Sequence, residues 1–331
     1  MIFSARDIER IAAMPMTYHA RRFPVHVAGT AGAIAAWLFA PPPQALTAEP
    51  LTVDLYAGAM RDKRSWHFVP SPQDGSYSYA QYLCEHARCL VVAADHLGTG
   101  ESTQPADGAA LTLDVLAEAW AQVVSQIRAE LAAGTLVPDL PPLPHIHLGA
   151  VAHGVGAAIL HRVQARFHSY EQVAFLGWTH NLPQWEETFP LALSRQERGY
   201  VAWSPAARQA LHALWYWPDV PQHIRQVDEQ HATVLPEGML AAFTPGAMVA
   251  DAREITVPVF LGYGEQDVAR DPAQEAQYYP QAQVTTSTLA GSAHYHHLAT
   301  TRLDLWKVLG WWQQSSYRQT LMASSAIAQE E

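Results

Sequence analysis

The chain has 331 residues and a formal net charge of −11, because 31 Asp and Glu outnumber 20 Lys and Arg. Hydrophobic residues make up 49% of the chain and charged residues only 15%, a composition that excludes an intrinsically disordered chain. The acidic balance argues against a nucleic-acid partner, since affinity for the phosphate backbone needs clustered Lys and Arg. The length suits one large domain, or one domain with an inserted subdomain.

The first half of the chain alternates between apolar runs and a helical pattern. Apolar runs at 32–43, 51–56 and 89–94 predict three strands. The stretch 111–133 places its apolar side chains on one helical stripe and predicts a long helix. An apolar run at 145–151 then predicts a strand that leads directly into another helix.

The second half continues the same alternation. Apolar runs at 172–177 and 257–262 predict two more strands, and 302–313 predicts a final helix. Strands that alternate with helices form a mostly parallel sheet with helices on both faces. The predicted fold class is therefore α/β, and ligands in such sheets bind at the carboxyl ends of the strands.

The stretch 181–251 interrupts the alternation and combines helical patterns with many aromatic residues. We predict that it is an inserted helical cap over the carboxyl edge of the sheet, with 1–180 and 252–331 forming the core. Ordinary surface helices are the alternative interpretation. Ligand pockets are mostly apolar and aromatic, so four tryptophans in or beside this stretch are predicted to bind substrate. They are Trp178, Trp185, Trp215 and Trp217.

Several kinds of site and location are disfavoured. Cys84 and Cys89 are the only cysteines, so they cannot build a disulfide framework or a zinc cluster. The histidines between 145 and 161 lack zinc-binding spacing, and neither a metal nor a cofactor is predicted. The run at 32–43 is too short to span a bilayer, which takes about 20 residues. The first residues lack the apolar core of a signal peptide, so the expected location is the cytoplasm.

Four motifs follow one another along the chain. The strand at 51–56 ends in the turn AGA at 57–59, and the strand at 89–94 ends in the glycine-rich turn DHLGTGES at 95–102. The third motif is the run of small residues GAVAHGVGA at 149–157. The fourth consists of a strand that ends in Asp267 and a turn that ends in His294. Over about residues 23–312 these motifs resemble the α/β-hydrolase family.

The resemblance implies roles for four of these residues. Asp267 matches the acid of a catalytic triad and His294 matches its base, in the chain order that the family has. His296 and His297 follow closely enough to be mistaken for the base, although His294 fits the turn spacing best. The backbone N–H groups of Ala59 and His153 are implied as the donors that stabilise an oxyanion, with Met60 as the alternative to Ala59.

The nucleophile is the point at which the sequence departs from the family. The family pattern is G-x-S-x-G on a sharp turn from strand to helix. The register that places Ala150 and Gly154 at the two small positions puts Ala152, which has no hydroxyl, at the nucleophile position. A register one residue later would use His153 but would place Val155 where a small residue is needed, so it is rejected.

Three explanations stay open. The chain is an ester or lactone hydrolase of the Ser-His-Asp type for apolar or aromatic small molecules, made inactive by Ala152 in place of the serine. Alternatively, it is a lyase or cyclase that uses the His294–Asp267 pair as a general base without a nucleophile. The third explanation is a ligand-binding protein without catalysis. In each case the expected partner is a small molecule, with no nucleic acid and no membrane.

Overall fold

A computed structural model of the chain describes residues 17–46, 49–181 and 193–327. The strands in these residues are β1 (Thr17–Val27), β2 (Thr30–Ala40), β3 (Leu51–Tyr56), β4 (His67–Phe68), β5 (Tyr77–Ser78), β6 (Leu90–Ala94), β7 (His147–His153), β8 (Gln172–Leu176), β9 (Leu193–Gln196), β10 (Tyr200–Trp203), β11 (Leu235–Pro236), β12 (Val259–Gly264) and β13 (Val284–Leu289). The α-helices are α1 (Tyr79–Tyr82), α2 (Leu113–Ala133), α3 (Val155–Phe167), α4 (Pro205–Trp215), α5 (Gln222–Gln230), α6 (Val249–Arg253), α7 (Pro272–Glu275) and α8 (Arg302–Ile327).

Eight strands form one sheet in the order β1-β2-β6-β3-β7-β8-β12-β13. The strands β1 and β2 form an antiparallel hairpin, and β2 also runs antiparallel to β6. Every later pair of neighbours, from β6 to β13, is parallel. The predicted α/β class is confirmed. Its physical basis is that the central strands are apolar on both faces, so helices must cover both.

Two hydrophobic clusters lie on the opposite faces of this sheet. Along β6, Val92 belongs to the first cluster and Val91 to the second, as expected when successive side chains of a strand point to opposite faces. The first cluster contains the buried stripe of α2, including Trp120, and the second contains Leu305 and Leu309 of α8. The sheet is thus enclosed by helices, and its carboxyl edge is left for a site.

The last helix is longer than its pattern predicts. The sequence indicates a helix over 302–313, whereas α8 continues to Ile327. Two residues of the continuation pack against the rest of the protein. Ser316 is buried, and the Tyr317 hydroxyl donates a hydrogen bond to the Glu49 carbonyl. These contacts are nonlocal, so the helical pattern of the sequence alone does not reveal them.

The inserted stretch is not purely helical, which corrects the predicted helical cap. Beside α4 and α5, the strands β9, β10 and β11 form a small antiparallel sheet. The run Tyr200–Trp203 is aromatic and β-branched, and such residues favour strands. Residues 182–192, which include Trp185, lie outside the described residues. Within the described ranges, no helix is long and apolar enough to cross a membrane.

Candidate active site

The turn between β7 and α3 has the geometry of a strained strand-to-helix elbow. Gly154 stands between the two elements with φ 52° and ψ −127°, a conformation that residues with a side chain rarely adopt. Its N–H donates to the Leu176 carbonyl at the end of the neighbouring strand β8. The residue at the tip of the elbow, which a nucleophile occupies in a G-x-S-x-G turn, is therefore Gly154.

This geometry overturns the predicted register, in which Ala152 holds the nucleophile position. Ala152 is fully buried inside β7, where it pairs with Tyr56 on one side and Phe175 on the other. The elbow lies two residues later, so the two small positions of the pattern are Ala152 and Gly156. The sequence interpretation took Gly154 for a flanking glycine and therefore missed that it stands at the tip.

Gly156 is the residue that allows α3 to approach β3 closely. A Cβ atom at this position would meet the carbonyl oxygens of Tyr56 and Ala57, the former at 2.9 Å. Backbone atoms cannot move aside as a flexible side chain can. A side chain at position 156 would therefore push the helix away from the turn that follows β3.

We expect Gly156→Ala to destabilise the protein by about 1–3 kcal/mol, the usual cost of inserting atoms into a packed site. Gly310→Ala is the matched control, because a Cβ on that residue of α8 would find its nearest neighbour, a Tyr82 ring carbon, at 4.0 Å. The control is expected to stabilise by up to about 1 kcal/mol through helix propensity. Urea denaturation of both variants measures the difference, and an unchanged midpoint for Gly156→Ala would contradict the steric argument.

Asp267 follows β12 and lies in the centre of a hydrogen-bond network. Its Oδ1 accepts from His294 Nδ1 at 2.8 Å and from the Val268 N–H at 2.7 Å. Its Oδ2 accepts from His296 Nε2 at 2.6 Å and from the Gly264 N–H at 2.9 Å. Burial opposes ionisation, but the two imidazoles outweigh it and hold the pKa of the Asp267 carboxyl well below its usual range. The carboxylate is therefore ionised and fully hydrogen-bonded.

The structure places His294 beside the elbow. Because Nδ1–H of His294 donates to Asp267, its Nε2 carries the lone pair, and this atom lies 3.4 Å from the position of a Cβ on Gly154. His296 and His297, the other candidates for the base, do not line the cavity beside the elbow. The His294 ring thus presents its basic nitrogen to the place where a nucleophile would stand.

The oxyanion donors are only partly those that the sequence implied. Ala59 lines the cavity beside the elbow, and so does Val155, the residue directly after Gly154. Neither backbone N–H has a hydrogen-bond acceptor within the part of the chain that the structure describes. The second donor in this fold is the N–H of the residue directly after the nucleophile position. With Gly154 at that position, the second donor is Val155 and not His153.

His153 instead forms a wall of the site with its side chain. Its Nε2–H donates to the His294 carbonyl at 2.8 Å, which helps to fix the loop that carries the base. Burial lowers the pKa of the His153 imidazole well below its usual value, and the nearby His294 lowers it further. His153 is therefore neutral.

The turn that contains Ala59 is held from behind by a buried pair. Trp120 Nε1–H donates to His96 Nδ1 at 2.9 Å, and His96 Nε2–H donates to the Ala57 carbonyl at 2.9 Å. Burial lowers the pKa of His96 to about 4, so the ring is neutral and keeps this tautomer. No local sequence pattern indicates this support, because the two residues come from separate elements.

A cavity of about 90 Å³ opens beside Gly154 and His294. Two of the predicted tryptophans, Trp178 and Trp215, line it, whereas Trp217 does not. Trp217 lies beyond the end of α4 and packs near Gly291. Trp203, another tryptophan of the inserted stretch, also lines the cavity. The sequence interpretation did not assign several other lining side chains, which are Leu211, Leu214, Phe243 and Tyr295. None of the described lining residues is Asp, Glu, Lys or Arg.

Comparisons with known proteins agree with this architecture. No protein-family model matches the sequence, and no curated protein sequence matches it. Among solved structures, an esterase from Thermogutta terrifontis with malate bound is 14% identical, covers 90% of this chain and 99% of its own, and has a TM-score of 0.63. An esterase from Exiguobacterium antarcticum is 12% identical over 89% and 100%, with a TM-score of 0.62. The enol-lactonase from Burkholderia xenovorans LB400 is 16% identical over 86% and 97%, with a TM-score of 0.61. The chain has the α/β-hydrolase fold.

Within this α/β-hydrolase fold, the site combines an acid–base pair with a glycine at the tip of the elbow. Among the described residues, no group of three or more His, Cys, Asp or Glu is placed to hold a metal ion. The pattern small-x-Gly-x-small at 152–156 is the local signal that a search for serine alone overlooks. The arrangement can accept a proton at His294 Nε2 and offer two N–H donors to a developing oxyanion. It has no side-chain oxygen at the tip of the elbow to form a covalent intermediate.

Proposed function

We propose that this protein is an enzyme that hydrolyses an ester or lactone of an apolar or aromatic small molecule without a covalent intermediate. The observation that carries the proposal is the position of His294 Nε2, 3.4 Å from where a Cβ on Gly154 would lie. A serine hydroxyl at the elbow would reach this nitrogen. Because Gly154 has no side chain, the space is open to a water molecule that His294 can activate directly.

In the proposed reaction, His294 Nε2 takes a proton from water while the water oxygen attacks the carbonyl carbon of the substrate. Asp267 keeps the His294 ring in the required tautomer and stabilises the imidazolium that forms. The N–H groups of Ala59 and Val155 bind the oxyanion, a contribution of about 3–4 kcal/mol per donor in comparable enzymes. When the tetrahedral species collapses, His294 returns the proton to the leaving oxygen, so the base is regenerated.

The character of the cavity supports the substrate class. Its wall includes the three indole rings of Trp178, Trp203 and Trp215. Among the described residues that line it, none is Asp, Glu, Lys or Arg. A charged substrate would lose its hydration there without gaining a partner. We therefore infer a neutral substrate with an aromatic or aliphatic body and one carbonyl group.

A second candidate is a lyase or cyclase that uses the same base. The largely apolar lining favours it, because such a lining keeps bulk water away from a proton that passes from the substrate to His294. In that reaction His294 would remove a proton from a carbon or hydroxyl of the substrate, and the two N–H donors would stabilise the resulting enolate or alkoxide. A binding protein without catalysis is the remaining alternative.

Turnover in ¹⁸O-labelled water distinguishes these candidates. A panel of aryl acetates and aryl-substituted lactones is incubated with the protein, and the products are analysed by mass spectrometry. Hydrolysis is expected to place one solvent oxygen in the acid product, without a burst of alcohol release in the first turnover. His294→Ala is expected to lower the rate at least about 100-fold. Isomerised or cyclised product without ¹⁸O favours the second candidate. Ligand binding with no turnover of any kind would contradict both enzymatic candidates.

We expect Gly154→Ser to create a serine that a fluorophosphonate probe labels in a His294-dependent way, because the new hydroxyl would stand beside His294 Nε2. The variant is also expected to be less stable by about 1–3 kcal/mol, since a side chain strains the backbone at this φ and ψ. Intact-protein mass spectrometry measures the labelling, and thermal unfolding measures the stability.

Ala152→Ser is the matched control for this experiment. The structure buries position 152 inside β7, so its serine is expected to stay unlabelled. Labelling of Ala152→Ser but not of Gly154→Ser would restore the register that the sequence first suggested. Labelling of Gly154→Ser that survives His294→Ala would show that His294 is not the activating base.

A further inference from the structure

Asp267 binds two imidazoles, and the proposed mechanism uses only one of them. His294 Nδ1–H occupies Oδ1 at 2.8 Å, while His296 Nε2–H occupies Oδ2 at 2.6 Å. The side chain of His296 is 3% exposed and that of Asp267 is 1% exposed, so water does not screen this second contact. Hydrogen bonds to an ionised acceptor are among the stronger ones in proteins. The second histidine therefore competes with the base for the negative charge of one carboxylate.

Behind this pair lies a second, much smaller cavity of about 10 Å³, which we call the rear chamber. Four residues that line it each carry a buried polar atom without a hydrogen-bond partner within the described part of the chain. These atoms are Trp66 Nε1, Tyr79 Oη, His296 Nδ1 and His297 Nε2. Buried polar atoms normally have partners, and a space of this size holds about one water molecule.

The groups that line the rear chamber are compatible with one tautomer of the His296 ring. A carboxylate only accepts hydrogen bonds, so the Nε2 of a neutral His296 carries the hydrogen and its Nδ1 is left as an acceptor. The indole N–H of Trp66 is only a donor and the Tyr79 hydroxyl can donate, so the chamber suits an unprotonated Nδ1. The chamber thus accommodates a His296 ring that donates from Nε2 to Asp267.

We propose that His296 is a positioning residue that lowers the basicity of His294 by withdrawing charge from the carboxylate the two rings share. The inference rests on the proposed function, because it describes how the base of that reaction is tuned. A general base works best when it is unprotonated near the working pH. A carboxylate that serves His294 alone would stabilise the imidazolium more strongly and hold the base in its protonated, inactive form to higher pH.

Several other titratable groups face His296, and none of them replaces its contact with Asp267. They are His294 and His297 on its own loop, His153 on β7 and Tyr79 on α1. Burial lowers the pKa of His153, and it lowers that of His297 to about 3. Burial raises the pKa of Tyr79 well above its usual value. His153, His297 and Tyr79 therefore stay neutral near pH 7, whereas Asp267 carries a charge against the ring of His296.

The test compares His296→Phe with His296→Gln in the full-length protein. Phenylalanine keeps a planar ring but removes the donor, and we expect the titration midpoint of the His294 ring to rise by about one pH unit, a tenfold change in the protonation equilibrium. Glutamine places an amide N–H close to the position of Nε2 and is expected to restore the native midpoint. Two-dimensional NMR of ¹⁵N-histidine-labelled protein measures the midpoint without any substrate.

A second measurement connects the titration to catalysis. The lower limb of the rate–pH profile, recorded with a substrate found in the ¹⁸O panel, is expected to move by the same amount in His296→Phe and to return in His296→Gln. If His296→Phe does not fold, His296→Asn replaces it, because its shorter amide does not reach Asp267. Its midpoint is expected to rise as well.

The two proposals can fail independently. An unchanged or lower His294 midpoint in the Phe or Asn variant overturns the role of His296, whether or not the protein has an activity. A raised midpoint in a protein that turns over no substrate leaves the role of His296 in place and counts against the proposed function. A midpoint that rises equally in His296→Gln would show that the effect is due to packing and would overturn the proposal.

Discussion

Asp228→Ala is expected to lower the free energy of unfolding by about 3–5 kcal/mol, the usual cost of breaking a buried ion pair from one side. Asp228 lies on α5 of the inserted stretch, and its Oδ2 accepts from Arg61 at 2.7 Å and from the Tyr216 hydroxyl at 2.6 Å. The Asp228 side chain is 1% exposed and the Arg61 side chain is 4% exposed. Without Asp228, the Arg61 guanidinium would stay buried with no counter-charge.

The pKa of Asp228 in the native protein is consistent with a stabilising ion pair between Asp228 and Arg61. Burial opposes ionisation of Asp228, but the Arg61 charge outweighs it and holds the pKa of the carboxyl below its usual value. The Arg61 guanidinium also lies 5.0 Å from the centre of the Tyr295 ring, which lines the active-site cavity. Arg61 directly follows Met60 in the turn that carries the Ala59 donor. The ion pair therefore joins the inserted stretch to the oxyanion turn.

Chemical denaturation of three proteins tests this expectation. Asp304→Ala is the control, because Asp304 pairs with Lys307 on the surface, where such pairs contribute less than about 1 kcal/mol. Arg61→Met combined with Asp228→Leu removes both charges and is expected to recover most of the lost stability, because no unpaired charge stays buried. A loss below about 1 kcal/mol for Asp228→Ala would mean that water reaches Arg61 and that the pair does not tie the two parts together.

Between pH 4 and 7, the free energy of unfolding of the wild-type protein is expected to fall by about 4 kcal/mol because Asp54 titrates. Asp54→Asn is expected to abolish this fall. Asp54 lies in the middle of β3 and is fully buried. Its Oδ2 accepts from the Tyr170 hydroxyl at 2.8 Å, whereas its Oδ1 has no partner among the described residues. Burial raises the pKa of Asp54 from 3.8 to about 7, and the hydrogen bond from Tyr170 opposes this only in part.

The sign follows from comparing the folded and unfolded states. The folded protein holds the Asp54 proton up to about pH 7, whereas the unfolded chain releases it near pH 4, so folding favours the protonated form. The stabilisation is complete below pH 4 and is lost as the pH rises through about 7. The two pKa values differ by about 3 units at about 1.4 kcal/mol each, which gives about 4 kcal/mol.

Unfolding free energies measured from pH 4 to 8 provide the test. The wild-type protein is expected to lose about 4 kcal/mol more over this range than Asp54→Asn, since asparagine keeps an acceptor for Tyr170 but has no proton to release. Asp139→Asn is the control, because Asp139 is exposed and its carboxyl gains nothing from burial. Parallel pH profiles for the wild type and Asp54→Asn would show that the Asp54 carboxyl is ionised in the folded protein throughout.

Much of the fold could be predicted because its signals are local. The strands at 51–56, 89–94 and 257–262 are visible as apolar runs, and each corresponds to a strand within about two residues. The inserted stretch was predicted less well. The strand β10 is only four residues long, and its pairing with β9 and β11 depends on partners elsewhere in the chain.

The candidate active site was also only partly visible in the sequence. The sequence singles out Asp267 and His294 because each follows a recognisable strand and turn, and in the structure the two side chains are 2.8 Å apart. The elbow was placed two residues too early, at Ala152, because several small residues in a row leave more than one register open. The backbone conformation of Gly154 and the close approach of Gly156 to the carbonyls of β3 select one register.

The sequence by itself determined the α/β class and singled out Asp267 and His294, because apolar periodicity and turn composition are local properties. Tertiary structure alone decided the elbow residue, the aromatic side chains that face the cavity and the sharing of Asp267 by two histidines. The physical reason is that these features depend on distances between residues far apart in sequence. His294 meets Gly154 and Asp267 only because parallel strands deliver all three to one edge of the sheet.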